Sequence, residues 1–169
     1  MKKGVFVLTL LASLAFADSF VAGSRSIGIT VGSGSVRYSG GVSAAANVEN
    51  YLIAGVGGDY FVRDNLAVGV GYRVWIGAAP TIHQATLPVT YYMPTPTNYR
   101  PYLGAFYRYT YIGSADYANY SSAGGRLGVA MLFRNGYAGF GWVQEVDIGR
   151  ENVSETASGY PEAVIALSF

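Results

Sequence analysis

The chain has 169 residues, of which 12% are charged, 51% are hydrophobic and none is cysteine. Its charged fraction is about half that of an ordinary soluble domain, and its eleven basic and ten acidic residues do not supply the basic surface of a nucleic-acid binder. The lack of cysteine excludes disulfide scaffolds and thiol catalysis, and the single histidine argues against a zinc site. We therefore expect one apolar domain with no cofactor and no nucleic-acid partner.

The first seventeen residues have the pattern of an export signal. Lys2 and Lys3 make the N-terminus positive, an apolar stretch from Val5 to Leu14 follows, and Ala15-Phe16-Ala17 fits the small-x-small cleavage rule. The apolar stretch is shorter than the roughly 20 residues that span a membrane. We predict cleavage before Asp18, which leaves residues 18–169 as the mature chain. Its basic residues are then all arginine, the residue that suits paired charges held away from water.

From residue 26 onward, apolar residues alternate with small or polar ones, which is the period of a β-strand. The clearest run is Leu66 to Gly77, where leucine, valine, tyrosine and isoleucine fall on one face, and alanine, glycine, arginine and tryptophan on the other. Equivalent patterns predict eight strands, near 27–32, 51–62, 66–77, 83–93, 102–111, 126–133, 137–148 and 162–169.

The charged residues of these strands decide which face is inside. Seven of them share the glycine-rich face: Asp59, Arg73, Arg108, Arg126, Glu145, Asp147 and Glu162. A soluble barrel or sandwich would bury its apolar face and would need far more lysine and glutamate outside. A charged, glycine-rich interior, an apolar exterior and aromatic residues near the strand ends are typical of a transmembrane barrel.

The turns predict the topology. Short turn signals lie at 63–65, 94–98 and 134–136, and longer polar segments lie at 33–50, 114–122 and 149–159. Residues 33–50 allow two interpretations, a loop or extensions of the first two strands that meet at Ser39-Gly40-Gly41. Short turns face the periplasm in bacterial barrels, so both termini are expected there. The predicted fold is an all-β, eight-stranded antiparallel up-and-down transmembrane β-barrel.

Two segments resemble a known family. Tyr60 to Gly69 is similar to the strand-turn-strand of the small OmpA- and OmpX-type outer-membrane barrels, and alternating Ala163, Ile165, Leu167 and Phe169 resemble the C-terminal signal read by the barrel-assembly machinery. The resemblance implies a monomer in a Gram-negative outer membrane, in contact with lipid and lipopolysaccharide. It also implies a plugged polar lumen and a role in envelope integrity or surface interaction.

Three features bear on function. The seven lumenal charges are expected to form structural pairs, and a gated, narrow solute channel is the alternative. Tyr117 and Tyr120 are candidate contacts for an extracellular partner through the loops. A lipid A-modifying enzyme is the third hypothesis, because lipid A deacylases show a His-x-Ser-Asn motif. Here that stretch reads His83-Gln84-Ala85-Thr86, with alanine at the nucleophile position, so we expect no catalytic residues.

Overall fold

A computed structural model of the chain describes residues 19–38, 47–78, 81–113, 118–148 and 157–169. The predicted export signal, the Ser39-Gly40-Gly41 turn and Tyr117 lie outside these ranges. The described residues form eight strands: β1 Arg25–Tyr38, β2 Asn47–Arg63, β3 Leu66–Ile76, β4 Ile82–Tyr92, β5 Tyr99–Ile112, β6 Tyr120–Phe133, β7 Gly136–Ile148 and β8 Ala157–Ser168.

The strands close into one barrel. Each strand pairs antiparallel with the next along the chain, and β8 returns to pair with β1. The closing ladder runs from Ser26 opposite Ser168 to Gly32 opposite Glu162. The predicted eight-stranded antiparallel up-and-down topology is therefore confirmed.

Several strands are longer than the sequence pattern predicted. β1 and β2 remain paired up to Tyr38 opposite Asn47. The interpretation as strand extensions is therefore confirmed for residues 33–38 and 47–50, and the predicted meeting point lies outside the described residues. β6 begins at Tyr120 and β8 at Ala157, so the predicted loops 114–122 and 149–159 are partly strand. The start of β6 was missed because it lacks apolar alternation. Backbone pairing with β5 and β7 holds it as strand, as in the pairs that Ala123 makes with Tyr107 and Val146.

The described side chains divide into an apolar outside and a mixed inside. Large aliphatic and aromatic side chains cover the outside of every strand, and among the most exposed are Ile27, Val70, Leu87, Leu127 and Phe140. Interior glycines make room for aromatic rings. A Cβ atom on Gly128 or Gly141 would overlap the Tyr102 hydroxyl. The interior positions of a small barrel are filled in this way by alternating small and large residues.

The turn between β2 and β3 is tight. Asn65, between β2 and β3, has a φ of 65°, a left-handed conformation that asparagine tolerates better than most residues. The β2–β3 ladder shifts its register between Phe61 and Arg63. The end of the barrel that carries this turn, the β6–β7 turn, the start of β1 and the end of β8 is called the short-turn end below, and the opposite end is called the long-loop end.

The described residues contain no helix that is long and apolar enough to cross a membrane. They also contain no group of three or more histidine, aspartate or glutamate side chains placed to hold a metal ion.

Candidate functional site in the barrel interior

The first interior cluster is centred on one carboxylate. Glu162 of β8 points into the barrel and is 2% exposed. Its Oε2 accepts a charge-assisted hydrogen bond from Arg73 of β3, and its Oε1 lies 3.5 Å from Nη1 of Arg126 on β6. Nε of Arg126 also donates to the Thr90 hydroxyl at 3.1 Å. One glutamate on β8 therefore connects three strands, β3, β6 and β8, that are not neighbours in the sheet.

The second interior cluster is an ion pair with several hydroxyl partners. Arg108 of β5 is 1% exposed, and its Nη1 donates to Glu145 of β7. Its Nε donates to the Thr86 hydroxyl at 3.0 Å. Glu145 accepts further hydrogen bonds from the hydroxyls of Ser122 at 3.3 Å and Ser158 at 3.4 Å. Buried charges are tolerated when they are paired and hydrogen-bonded in this way.

A tyrosine joins the two clusters. The Tyr160 hydroxyl oxygen accepts from Nη1 of Arg73 at 3.0 Å and from Nη1 of Arg108 at 2.7 Å. The Arg108 guanidinium also lies 4.5 Å from the centroid of the Phe106 ring, a cation–π distance. The interior arginines and glutamates thus form one continuous polar network.

The two aspartates of the predicted set lie toward the two ends of the barrel, on either side of these clusters. Oδ2 of Asp59 accepts a hydrogen bond from the Tyr137 hydroxyl at 3.2 Å. The Tyr137 hydroxyl in turn accepts a hydrogen bond from the Tyr92 hydroxyl at 3.2 Å. Asp147 lies two residues beyond Glu145 on the same face of β7 and is partly exposed. The ion pairs and hydrogen bonds described above join Arg73, Arg108, Arg126, Glu145 and Glu162, with Asp59 toward the short-turn end and Asp147 toward the long-loop end.

The short-turn end is filled by aromatic rings. Phe20, which precedes β1, is 5% exposed, and its ring stacks on Tyr92 with centroids 4.2 Å apart. It also packs against Phe61 at 5.4 Å and Tyr137 at 5.3 Å. Its carbonyl oxygen accepts from the amide of Asn65 at 2.8 Å. The N-terminal segment therefore covers this end of the interior.

A second apolar cluster lies toward the long-loop end. It consists of buried side chains from six strands: Tyr51, Ile53, Trp75, Ile82, Phe106, Val143 and Tyr160. The cavity that remains among the interior side chains, lined by Asp59, Arg73, Arg126 and Glu162 among others, is about 60 Å³. Such a volume holds a few water molecules.

The other predicted site residues lie on or near the outside. Ile165 and Leu167 are exposed on the outer face of β8, on the same side as Ala163, and Phe169 is half-buried beside β1. Tyr120, the first residue of β6, is half-buried.

His83 also points outward. Its Nδ1 lies 2.6 Å from the Tyr72 hydroxyl, and its ring packs against Tyr72 and Tyr111. The next outward position on β4 is Ala85, so no nucleophile stands beside the imidazole on its own strand. This histidine belongs to an outer aromatic group.

The sequence analysis missed several interior residues, among them Phe20, Tyr92 and Tyr160. Phe20 lies before the first alternating run, so no strand pattern indicated its position. Tyr92 and Tyr160 are aromatic, and a tyrosine in a strand of this kind reads equally well as an outward girdle residue. Tyr92 and Tyr160 each lie two residues from an inward residue, Thr90 and Glu162, and this spacing could have placed them inside the barrel.

No protein-family model and no curated protein sequence matches the chain. Solved structures do match it. Neisserial surface protein A (NspA) is 16% identical with a TM-score of 0.67, and the N-terminal β-barrel domain of Pseudomonas aeruginosa OprF is 17% identical with a TM-score of 0.64. Each match covers 88% of this chain and 98% of the other. Outer membrane protein OprG from P. aeruginosa is 14% identical with a TM-score of 0.51, over 89% of this chain and 98% of that one. The chain therefore has the fold of the small eight-stranded outer-membrane β-barrels.

Proposed function

We propose that the protein is an integral β-barrel of the bacterial outer membrane that strengthens the envelope and does not conduct solutes. The observation that carries the proposal is the inside-out distribution of its side chains. Ion pairs lie inside the barrel, and aliphatic and aromatic residues cover its outside.

The exterior supports a membrane location. A monomeric soluble protein rarely exposes a continuous apolar patch larger than a few hundred Å². Here outward leucine, isoleucine, valine and aromatic side chains follow one another around all eight strands. Each would favour an apolar surrounding by about 25 cal/mol per Å² of apolar surface. The hydrocarbon layer of a membrane would surround all of this apolar surface. The closed sheet leaves no unpaired strand edge exposed to that layer.

The interior supports a structural role over transport. An ion moving along the axis would have to separate Arg108 from Glu145, or displace Glu162 from its two arginines, and then pass the ring cluster around Phe20. Breaking one buried pair by removing a partner costs about 3–5 kcal/mol. A narrow solute channel remains the rival, since the same charges could act as its gate.

The remaining parts of the proposal concern export and partners. We infer that residues 1–17 are a cleaved export signal and that the barrel-assembly machinery reads the C-terminal alternation ending at Phe169. Lipid and lipopolysaccharide would surround a monomer. The outer loops with Tyr117, together with Tyr120 at the start of β6, would offer the contact surface to an extracellular partner. We propose no enzymatic activity, because the hydrogen-bond partner of His83 is a phenol on a neighbouring strand and not an activated alcohol.

Planar-bilayer conductance tests the proposed function. Purified wild-type barrel is expected to give no steady single-channel openings, and Arg108→Ala is expected to introduce leakage if it folds. Arg134→Gln, a change in an exposed turn, is the matched control and should behave as wild type. Steady openings of the wild type that Arg108→Ala abolishes would replace the structural role with the channel.

A further inference from the structure

The outer wall of the barrel has a shallow, open groove across β1, β2 and β3. It has a volume of about 730 Å³. At its centre Gly58 of β2 is paired with Ile27 of β1 on one side and with Val70 of β3 on the other. The next outward residues along β2 are Val56 and Tyr60. Gly58 has no side chain, and the groove is the space that the outward side chains around it leave open.

The groove ends at a positive charge. Arg25 is exposed on the outer face at the first residue of β1, lines the groove and stands opposite Tyr60 in the ladder. It takes part in none of the ion pairs formed by the described residues. The nearby acid of the β2–β3 turn, Asp64, uses Oδ1 to accept the amide hydrogen of Ala22 at 2.8 Å. The Arg25 guanidinium is therefore positioned at the short-turn end to meet an anion from outside the chain.

We infer that this groove is a binding site for one anionic phospholipid of the inner leaflet, which rests on the membrane location proposed above. An acyl chain lies over Gly58, and the phosphate is bound by Arg25. Guanidinium groups bind phosphate through two parallel hydrogen bonds, and the Tyr60 phenol, on the adjacent strand, is within the usual cross-strand distance to assist. The combination of an apolar groove and a terminal cation fits a phospholipid with a net negative headgroup.

Native mass spectrometry of the detergent-solubilised barrel tests the site. The probes are phosphatidylglycerol and phosphatidylcholine with identical acyl chains, added in competition. One basic residue near a membrane surface favours an anionic lipid by about fivefold in affinity. We expect the wild type to retain one phosphatidylglycerol with that preference, and Arg25→Gln to lose the preference while Arg134→Gln, in the β6–β7 turn, keeps it.

A second pair of variants tests the groove. Gly58→Val fills it and is expected to reduce retention of both lipids. Gly125→Val adds the same side chain at an outward glycine of β6, where a Cβ atom comes no closer to a neighbour than 3.6 Å, and should leave retention unchanged. A Cβ atom on Gly58 lies 3.1 Å from the Ser26 carbonyl oxygen. Arg25→Gln changes only an exposed side chain and decides the question without depending on how Gly58→Val folds.

Three results would overturn the inference. The first is equal retention of the two lipids by the wild type, and the second is an equal effect of Arg25→Gln and Arg134→Gln on that retention. The third is a dimer without lipid, which would assign the groove to a second copy of the chain. Fractionation and heat-modifiable gel mobility of the same samples separate the two proposals. A folded barrel in the outer membrane without lipid preference removes only the lipid site, whereas a protein outside that membrane removes both.

Discussion

The shared carboxylate of Glu162 leads to the sharpest quantitative prediction. Glu162→Gln keeps the size of the side chain and removes its charge, so the guanidiniums of Arg73 and Arg126 lose their common partner. Both arginines keep neutral partners, Tyr160 at 3.0 Å and Thr90 at 3.1 Å, but two positive charges then remain in a site that is almost closed to solvent. We expect the free energy of unfolding to fall by about 3–5 kcal/mol, a large share of a typical net stability of about 5–15 kcal/mol.

Glu145→Gln is the internal comparison for this prediction. It leaves only Arg108 without a carboxylate, so its cost should lie at the lower end, about 3 kcal/mol. The assay is equilibrium urea unfolding of barrels folded in lipid vesicles, followed by tryptophan fluorescence, with Arg134→Gln as an exposed control. A loss below about 1 kcal/mol for Glu162→Gln, or a larger loss for Glu145→Gln, would refute the reasoning from shared buried charge.

Three further predictions follow from packing and assembly. Phe20→Ala should lower the stability by about 3 kcal/mol and the temperature at which gel mobility changes; an unchanged temperature would mean that the ring does not stabilise the short-turn end. Gly141→Ala should prevent folding, because its Cβ overlaps the backbone carbonyl oxygen of Leu127 as well as the Tyr102 hydroxyl. Gly125→Ala should fold normally, and two folded variants would contradict the steric argument. Phe169→Ala should reduce the amount of folded protein in outer membranes and leave refolding from urea in vitro unchanged. If the variant also failed to refold in vitro, Phe169 would have a structural role instead.

The sequence predicted correctly, for a physical reason, which side chains of each strand point inward and which point outward. In an antiparallel barrel each strand alternates between lipid and lumen, so the positions of Arg108 and Glu145 follow from counting in twos along their own strands. The strand ends were harder. The start of β6 at Tyr120 is held by ladder bonds to both neighbours, and its serines and glycines carry no alternating pattern.

The pairing of the interior charges could not be predicted. Which arginine meets Glu162 depends on the register of every strand between them, and a shift of one residue would turn each side chain to the opposite face. Tyr160 joins two ion pairs only because β8 closes onto β1 with a particular offset. The position of Phe20 depends on the N-terminal segment folding back over the β2–β3 turn, which is a tertiary contact.

Heat-modifiable gel mobility of protein taken from isolated outer membranes tests the central claim most directly. A closed barrel with an apolar exterior stays compact in detergent until it is boiled, so unboiled and boiled samples should migrate differently, with the protein in the outer-membrane fraction. Identical mobility, with the protein recovered in the soluble periplasmic fraction, would contradict the account.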